Sequence, residues 1–182
     1  MKKLVLLFII LGLLFISCSK KSTEPEENNP TVLVSPSSAS VVVDEVFDIE
    51  IALKYVEELV GVGVRLNFDS DKLEVVELGR EDDFLTSNSG AVNQLTFTSD
   101  NDEGYVKLVL GILPASASVS DMSGSARGIG RITFRALSPG TAELLLSVDN
   151  THDSDLGLYD SSAELIPDVE TESGNITISS GR

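Results

Sequence analysis

The chain has 182 residues, with 13 lysines and arginines against 29 aspartates and glutamates, and its formal net charge is −16. Such a polyanion repels phosphate backbones. This excludes nucleic acid as a partner, because nucleic-acid binding draws most of its affinity from Lys and Arg. One cysteine and one histidine exclude an internal disulfide and a zinc site built from several thiolates or imidazoles. We therefore expect an acidic domain that holds no metal or other cofactor.

The N-terminal segment has the pattern of an export signal. Lys2 and Lys3 precede an apolar run over residues 4–16, which is shorter than the roughly 20 residues that a membrane-spanning helix needs. Residues 15–18, Phe-Ile-Ser-Cys, resemble a bacterial lipobox, in which the cysteine is lipidated and becomes the new N-terminus. We interpret residues 1–17 as a lipoprotein signal peptide and Cys18 as the lipid attachment site. The alternative is an ordinary signal peptide followed by an incidental thiol.

A polar segment follows the cysteine. Residues 19–30 contain no hydrophobic side chain and are rich in Glu, Asn, Ser and Pro, so they cannot bury enough apolar surface to offset the entropy of ordering. We predict that residues 18–30 form a flexible tether and that residues 31–182 form one domain. The lipid would hold this domain on the extracytoplasmic side of a bacterial membrane, at the outer membrane or the cell surface.

Alternation of apolar and polar residues with period two dominates the rest of the chain, and it predicts β-strands with one buried face. The clearest strand covers residues 60–68, with Val60, Val62, Val64, Leu66 and Phe68 facing inward. Turn-forming clusters separate these segments, and no stretch keeps a helical period. The other residues that we expect to face inward are Phe47, Ile49, Ile51, Leu53, Leu95, Phe97, Val106, Leu108, Leu110, Ile112, Ile132, Phe134, Ala136, Ala142, Leu144, Leu146, Val148, Ile176 and Ile178. The pattern predicts an all-β fold, a β-sandwich or jelly roll.

The order of several landmarks resembles that of cohesin domains. Phe68, Asp69 and Leu73 end one strand and begin the next, and the Ile-Thr-Phe strand at residues 132–134 and the Gly-Thr-Ala turn at residues 140–142 follow later. The resemblance covers residues 31–179. It implies a jelly-roll β-sandwich of about nine strands, similar to carbohydrate-binding modules, with the chain ends close together.

One position departs from the cohesin pattern. The family usually places a glycine in its first turn, before an acidic residue, and this chain has Asp44 at that point, followed by Glu45.

Cohesins hold dockerin modules, which are small calcium-loaded helical pairs attached to polysaccharide-degrading enzymes. The resemblance therefore implies a dockerin-like partner and no catalytic activity. In the best-studied subgroup the docking surface is one sheet face, which corresponds here to residues 60–68, 92–98, 104–113 and 141–149. Two positions that carry polar anchors in that subgroup are Gly61 and Gly63 here. Because these anchors are missing, we expect a partner to dock with different chemistry.

The outward-facing residues of the same strands supply candidates for that chemistry. Val109, Leu113 and Leu145 would form an apolar centre with a polar rim, and the bare Gly61 and Gly63 would let a partner helix approach the backbone. The predicted partner-binding face consists of Gly61, Gly63, Arg65, Asn67, Tyr105, Lys107, Val109, Gly111, Leu113, Glu143, Leu145 and Ser147. Its acidic character would favour a partner with a basic patch. The alternative is that the apolar residues are scattered without a role, or that a loop covers them.

Other side-chain clusters carry weaker signals. Acidic loops at residues 69–71, 100–103 and 153–155 could ligate calcium, but none has the spacing of an EF-hand loop, so we predict solvated turns. His152 has no nucleophile motif beside it, and no Gly-x-Ser-x-Gly sequence marks a catalytic triad. We therefore assign no catalytic or metal-binding residue.

Two further functions remain open. A direct carbohydrate-binding module usually needs exposed aromatic rings that stack on sugars. Only Tyr55, Phe84, Tyr105 and Tyr159 remain outside the signal and the predicted core, and the chain has no Trp, so polysaccharide binding is less favoured than protein binding. The other function is a structural or assembly role in the cell envelope, because a fold does not fix a function.

Overall fold

The computed structural model describes residues 28–149, 151 and 155–181. The predicted signal peptide, Cys18, most of the tether and His152 lie outside these described residues. Within them the chain forms thirteen strands and one turn of 3₁₀ helix at Ala115–Ala117. The strands are β1 (Thr31–Ser35), β2 (Ser38–Val42), β3 (Val46–Lys54), β4 (Val56–Phe68), β5 (Leu73–Arg80), β6 (Ala91–Asp100), β7 (Tyr105–Leu113), β8 (Val119–Asp121), β9 (Arg127–Ala136), β10 (Gly140–Ser147), β11 (Gly157–Asp160), β12 (Glu170–Glu172) and β13 (Gly174–Ser179).

The strands form two sheets that pack into a sandwich. The first sheet has the order β12-β1-β3-β9-β5, and the second has the order β2-β13-β10-β4-β7-β6, with β8 and β11 pairing with the rest of the long strand β4. β12 runs parallel to β1 and β13 runs parallel to β2, so the first and last described strands lie at the same edge of the sandwich. The predicted β-sandwich is confirmed. Its described segments outnumber the nine implied by the resemblance because short strands such as β8, β11 and β12 are separate.

The core lies between the sheets, where the alternating apolar residues meet. Phe134 is fully buried, and its ring packs edge-on against Phe68, with 5.1 Å between the centroids, and beside Phe47 at 6.0 Å. The predicted inward residues of β4, β7 and β10 lie in this core, with the exception of Val60. The prediction for Val60 was wrong: it is only half-buried and Leu59 is buried instead, because the register of β4 on β11 shifts there and leaves Val60 as the extra residue of a bulge. Within the described residues, no helix is long and apolar enough to cross a membrane.

Leu95 does not follow this alternation. We predicted that it faces the core, but its side chain is 70% exposed. The register of β6 on β7 shifts between Gln94 and Thr96, so Leu95 is the extra residue of a β-bulge. The bulge places Leu95 on the outer face, while Phe97 still packs against the core. The prediction for Leu95 was wrong because it assumed an unbroken alternation.

The turn between β2 and β3 explains the departure from the cohesin pattern at Asp44. Asp44 has a φ of 69°, which is in the left-handed region that glycine adopts most easily and that Asp tolerates better than most residues. Its backbone N–H donates to the carbonyl oxygen of Ala136 at 2.8 Å, and the Glu45 carboxylate accepts from the backbone N–H of Val42 at 2.8 Å. The turn therefore keeps the backbone conformation of a glycine while carrying an Asp.

Candidate partner-binding face

Strand register brings the predicted face together on the outer side of the second sheet. Gly61 lies opposite Gly111, Gly63 opposite Val109 and Arg65 opposite Lys107 on β4 and β7. On the other side of β4, Leu145 lies opposite Asn67. Because residues opposite each other in a ladder point to the same face, these residues share one surface. Tyr105, Leu113, Glu143 and Ser147 follow from the same register.

Arg65 occupies the centre of this surface. Its Cζ lies 4.0 Å from the centroid of the Tyr105 ring, and its Nε donates to Oδ1 of Asn67 at 2.9 Å. The Asn67 amide in turn donates to the Ser147 hydroxyl at 3.5 Å. All four side chains are half-buried. A polar network from β4, β7 and β10 therefore holds the guanidinium in a defined position.

The glycines of β4 are covered by the protein's own chain. β11 pairs with β4, so that Gly157 lies opposite Gly63 and Tyr159 lies opposite Gly61. A Cβ atom on Gly63 would lie 1.8 Å from the carbonyl oxygen of Asp155, and one on Gly61 would lie 3.3 Å from Cβ of Tyr159. The prediction that these glycines are open to a partner helix was wrong. Their missing side chains make room for residues 155–159 instead.

The prediction of an apolar centre was wrong, because Leu113 lies beyond the Gly61–Gly111 pair while Leu145 lies opposite Asn67, towards the other end of the face. Val109, which we expected to be exposed, is only 8% exposed, because it lies opposite Gly63 and beneath the covering segment. Leu113 and Leu145 are 54% and 47% exposed, as their strand positions predicted. Sequence reasoning missed Leu95, which the bulge adds to this surface.

A groove remains between the covering segment and β6. Its volume is about 280 Å³, and its floor consists of Gly61, Gly63, Val109 and Gly111. Leu95 lines one side, and Asp155 and Tyr159 line the other. Nζ of Lys107 and Oδ2 of Asp155 are 2.7 Å apart, and this ion pair ties the covering segment to β7. We call this feature the glycine-floored groove.

Charges on the face differ from the acidic character that we expected. Its centre carries Arg65 and Lys107, and Glu143 lies in the middle of β10. Seven of the Lys and Arg residues in the described part of the chain have a carboxylate within 4.0 Å: Lys54, Lys72, Arg80, Lys107, Arg127, Arg131 and Arg135. Arg65 is the described basic residue for which the structure gives no such ion pair. Among the described residues, the centre of the face therefore carries no excess of acids.

A second, more polar pocket of about 360 Å³ adjoins the face at the end of β4, where it is lined by Asn67, Asp69, Lys72, Glu143 and Leu145 among others. The hydrogen bond from Lys72, helped by one from the backbone N–H of Asp71, lowers the pKa of Asp69 below its usual value, although burial opposes the shift. Asp69 is therefore ionised and paired at neutral pH.

Two of the acidic loops use their carboxylates to close turns, and residues 153 and 154 of the third lie outside the described residues. Oδ1 of Asp69 accepts from the backbone N–H of Asp71 at 3.0 Å. Oδ1 of Asp100 accepts from the backbone N–H groups of Asp102 and Glu103 at 3.0 and 2.9 Å. Across the described residues there is no group of three or more His, Cys, Asp or Glu side chains that could hold a metal ion.

The aromatic residues that could have stacked on sugars pack against the protein itself. Tyr105 lies under Arg65, Tyr159 lies against Gly61, and Phe84 packs against the core. Three of the four candidates thus have a role within the fold.

Comparison with solved structures identifies the fold. A non-cellulosomal cohesin from the hyperthermophilic archaeon Archaeoglobus fulgidus matches with a TM-score of 0.60 and 14% identity, over 84% of this chain and 92% of that chain. The third cohesin of ScaC from Acetivibrio cellulolyticus, solved in complex with the ScaB dockerin, matches with a TM-score of 0.62 and 15% identity, over 82% and 98%. The cohesin of the Coh-OlpC–Doc435 complex from Clostridium thermocellum matches with a TM-score of 0.60 and 13% identity, over 87% and 98%.

No protein-family model matches the chain, and no curated protein is similar to it in sequence. The structural likenesses show that the chain has a cohesin-like fold, as the sequence predicted.

Proposed function

We propose that the protein is a non-catalytic, lipid-anchored cohesin-like module that binds a dockerin-bearing, polysaccharide-degrading enzyme at the bacterial cell envelope. Residues 31–182 would form the binding domain, residues 18–30 the tether, and Cys18 the lipid attachment site. The partner would dock on the outer face of β10, β4, β7 and β6.

The observation that carries this proposal is the shared fold. Two of the three structures named above contain a cohesin together with a dockerin. In the present chain, β10, β4, β7 and β6 are consecutive neighbours in one sheet, and their outer face combines exposed Leu113 and Leu145 with the half-buried network around Arg65. Exposed apolar side chains beside fixed polar groups are the composition of a protein-binding surface.

A binding assay tests the partner class. The purified full-length protein is immobilised and offered the dockerin modules of polysaccharide-degrading enzymes from the same organism, in calcium and in EDTA. We expect at least one module to be retained in calcium and released by EDTA, because dockerins fold around calcium. Retention of none of them would overturn the proposal. Retention of the protein on cellulose or chitin without any dockerin would favour the carbohydrate-binding alternative.

Lipid anchoring has its own test. Mass spectrometry of the protein from a bacterial membrane fraction should find a mature N-terminus at Cys18 that carries a diacylglyceryl group. The Cys18→Ala variant should lose the lipid and leave the membrane fraction. A mature wild-type chain that begins elsewhere, or that carries an unmodified thiol, would contradict lipid anchoring without affecting the proposed partner.

A further inference from the structure

Arg65 differs from the other described lysines and arginines, because each of those has a carboxylate within 4.0 Å. The chain has 29 acidic and 13 basic residues, so a basic side chain has many carboxylates available to it. Arg65 nevertheless lies at the centre of the partner-binding face without one, whereas Lys107, directly opposite on β7, is paired with Asp155. Among the described residues, Arg65 is thus a positive charge on this face without a carboxylate partner.

The guanidinium of Arg65 has hydrogen-bond donors that a ligand could use. It has five N–H donors, and its Nε–H is used by Asn67. Among the described residues, no hydrogen bond is recorded for either Nη atom. The Tyr105 ring, whose centroid lies 4.0 Å from Cζ, and the hydrogen bond to Asn67 hold the guanidinium in place and leave the Nη edge available. A planar pair of donors in a half-buried position matches a carboxylate, which can accept two parallel hydrogen bonds.

Apolar surface lies on both sides of Arg65. Leu145, next to Asn67 on β10, is 47% exposed. In the other direction, the glycine-floored groove begins at Gly63, two residues along β4, which is a distance of about 7 Å in a strand. Side chains one turn apart on a helix are separated by roughly the same distance. A single helix could therefore place an acidic side chain on Arg65 and an apolar one in the groove.

We propose that Arg65 receives a carboxylate from the docking partner, and that the partner follows it, one helical turn away, with an apolar side chain that enters the glycine-floored groove beside Leu95. The inference rests on the proposed function, because it assigns chemistry to the partner of the same face. It also replaces the basic partner that the overall charge suggested with one that is acidic at the point of contact.

An NMR titration tests the inference. The ¹⁵N-labelled full-length protein is titrated with a stapled helical peptide that carries one Glu and, four residues later, one Leu. A second peptide has Gln in place of the Glu. We expect the Glu peptide to shift the Arg65 Nε–H resonance and the amides of Asn67 and Tyr105, and the Gln peptide to bind at least about tenfold more weakly, as the loss of a charge-assisted hydrogen bond requires.

Matched variants separate this contact from general electrostatics. Arg65→Gln and Arg65→Lys should each lose about tenfold or more in affinity for the Glu peptide, because neither retains the paired donors. Arg135→Gln removes the same charge from the outer face of the first sheet, where Arg135 pairs with Glu74, and it should bind like the wild type. An unchanged backbone amide spectrum outside the face verifies that each variant is folded.

Several results would overturn the inference. These are equal binding of the Glu and Gln peptides, no shift of the Arg65 resonance at saturating peptide, or an Arg65 shift caused by replacing Glu24, Glu26 and Glu27 with Gln in the absence of peptide. The last result would identify the protein's own tether as the occupant. An Arg65-dependent dimer in light scattering would identify a second copy instead.

The outcome is distinguishable from failure of the proposed function. A dockerin that binds Arg65→Gln as tightly as wild type, but does not bind Leu145→Lys, would overturn the role of Arg65 alone.

Discussion

The carbonyl oxygen of Asp155 lies so close to Gly63 that a Cβ atom on this glycine would be 1.8 Å away from it. The contact joins two segments that are far apart in sequence and decides how much of the sheet face remains accessible. It closes the part of β4 that would otherwise be bare backbone. A partner is left with Leu113, Leu145, the Arg65 network and the glycine-floored groove.

Two alanine substitutions test this close approach. Gly63→Ala should destabilise the protein by at least about 2 kcal/mol, because the obstacle is backbone and must be displaced. Gly111 lies on the same face, and the nearest atom to its Cβ position is 3.9 Å away, so Gly111→Ala should change stability by less than about 0.5 kcal/mol. Urea unfolding of both variants measures the difference. Equal stabilities would mean that residues 155–159 do not pack on β4.

Substitutions of Asp44 test the backbone conformation of the turn between β2 and β3. Because Asp44 has a φ of 69°, Asp44→Gly should be nearly neutral, as relief of the backbone strain offsets the greater entropy of the unfolded chain. Asp44→Val, with a β-branched side chain at positive φ, should cost about 1–2 kcal/mol. Thermal unfolding of the two variants checks the order. A Val variant as stable as the Gly variant would contradict the assigned backbone conformation.

Acid stability should depend on Asp121. The Ser123 hydroxyl and backbone N–H, together with Arg127, lower the pKa of Asp121 from 3.8 to about 2. Because the folded pKa lies below the unfolded one, ionised Asp121 stabilises the fold above about pH 4, and this contribution is lost as the pH falls towards 2. The stability deficit of Asp121→Asn relative to wild type should therefore shrink between about pH 5 and pH 2. A deficit that stays constant across this range in urea unfolding would contradict the assigned interaction.

Sequence reasoning predicted the strands with regular apolar–polar alternation and missed the β-bulges that interrupt it. Alternation placed Val64, Leu66 and Leu108 in the core correctly, since each lies in a strand with regular pairing. It failed at Leu95, because one inserted residue reverses the side to which a strand residue points. Backbone pairing geometry determines such a bulge, and the local apolar pattern does not reveal it.

Sequence reasoning assigned the correct strands to the candidate site but did not predict that residues 155–159 cover part of it. Gly61 and Gly63 in mid-strand signalled a close backbone approach, and the approaching segment is residues 155–159 rather than a partner. β11 is only four residues long, too short for a periodic pattern to predict its position. The sequence also could not predict that Arg65 has no ion pair among the described residues, because only the three-dimensional structure shows which basic side chains lie near a carboxylate.

We propose that a dockerin partner binds the outer face of β10, β4 and β7. Isothermal titration of a retained dockerin into the Leu145→Lys variant tests it most directly, with Val46→Lys as the matched control. Val46 is 50% exposed on β3 of the opposite sheet. We predict that Leu145→Lys weakens binding by about tenfold or more, while Val46→Lys binds like the wild type. Wild-type affinity in Leu145→Lys, with loss of binding in Val46→Lys, would contradict the claim and move the interface to the first sheet.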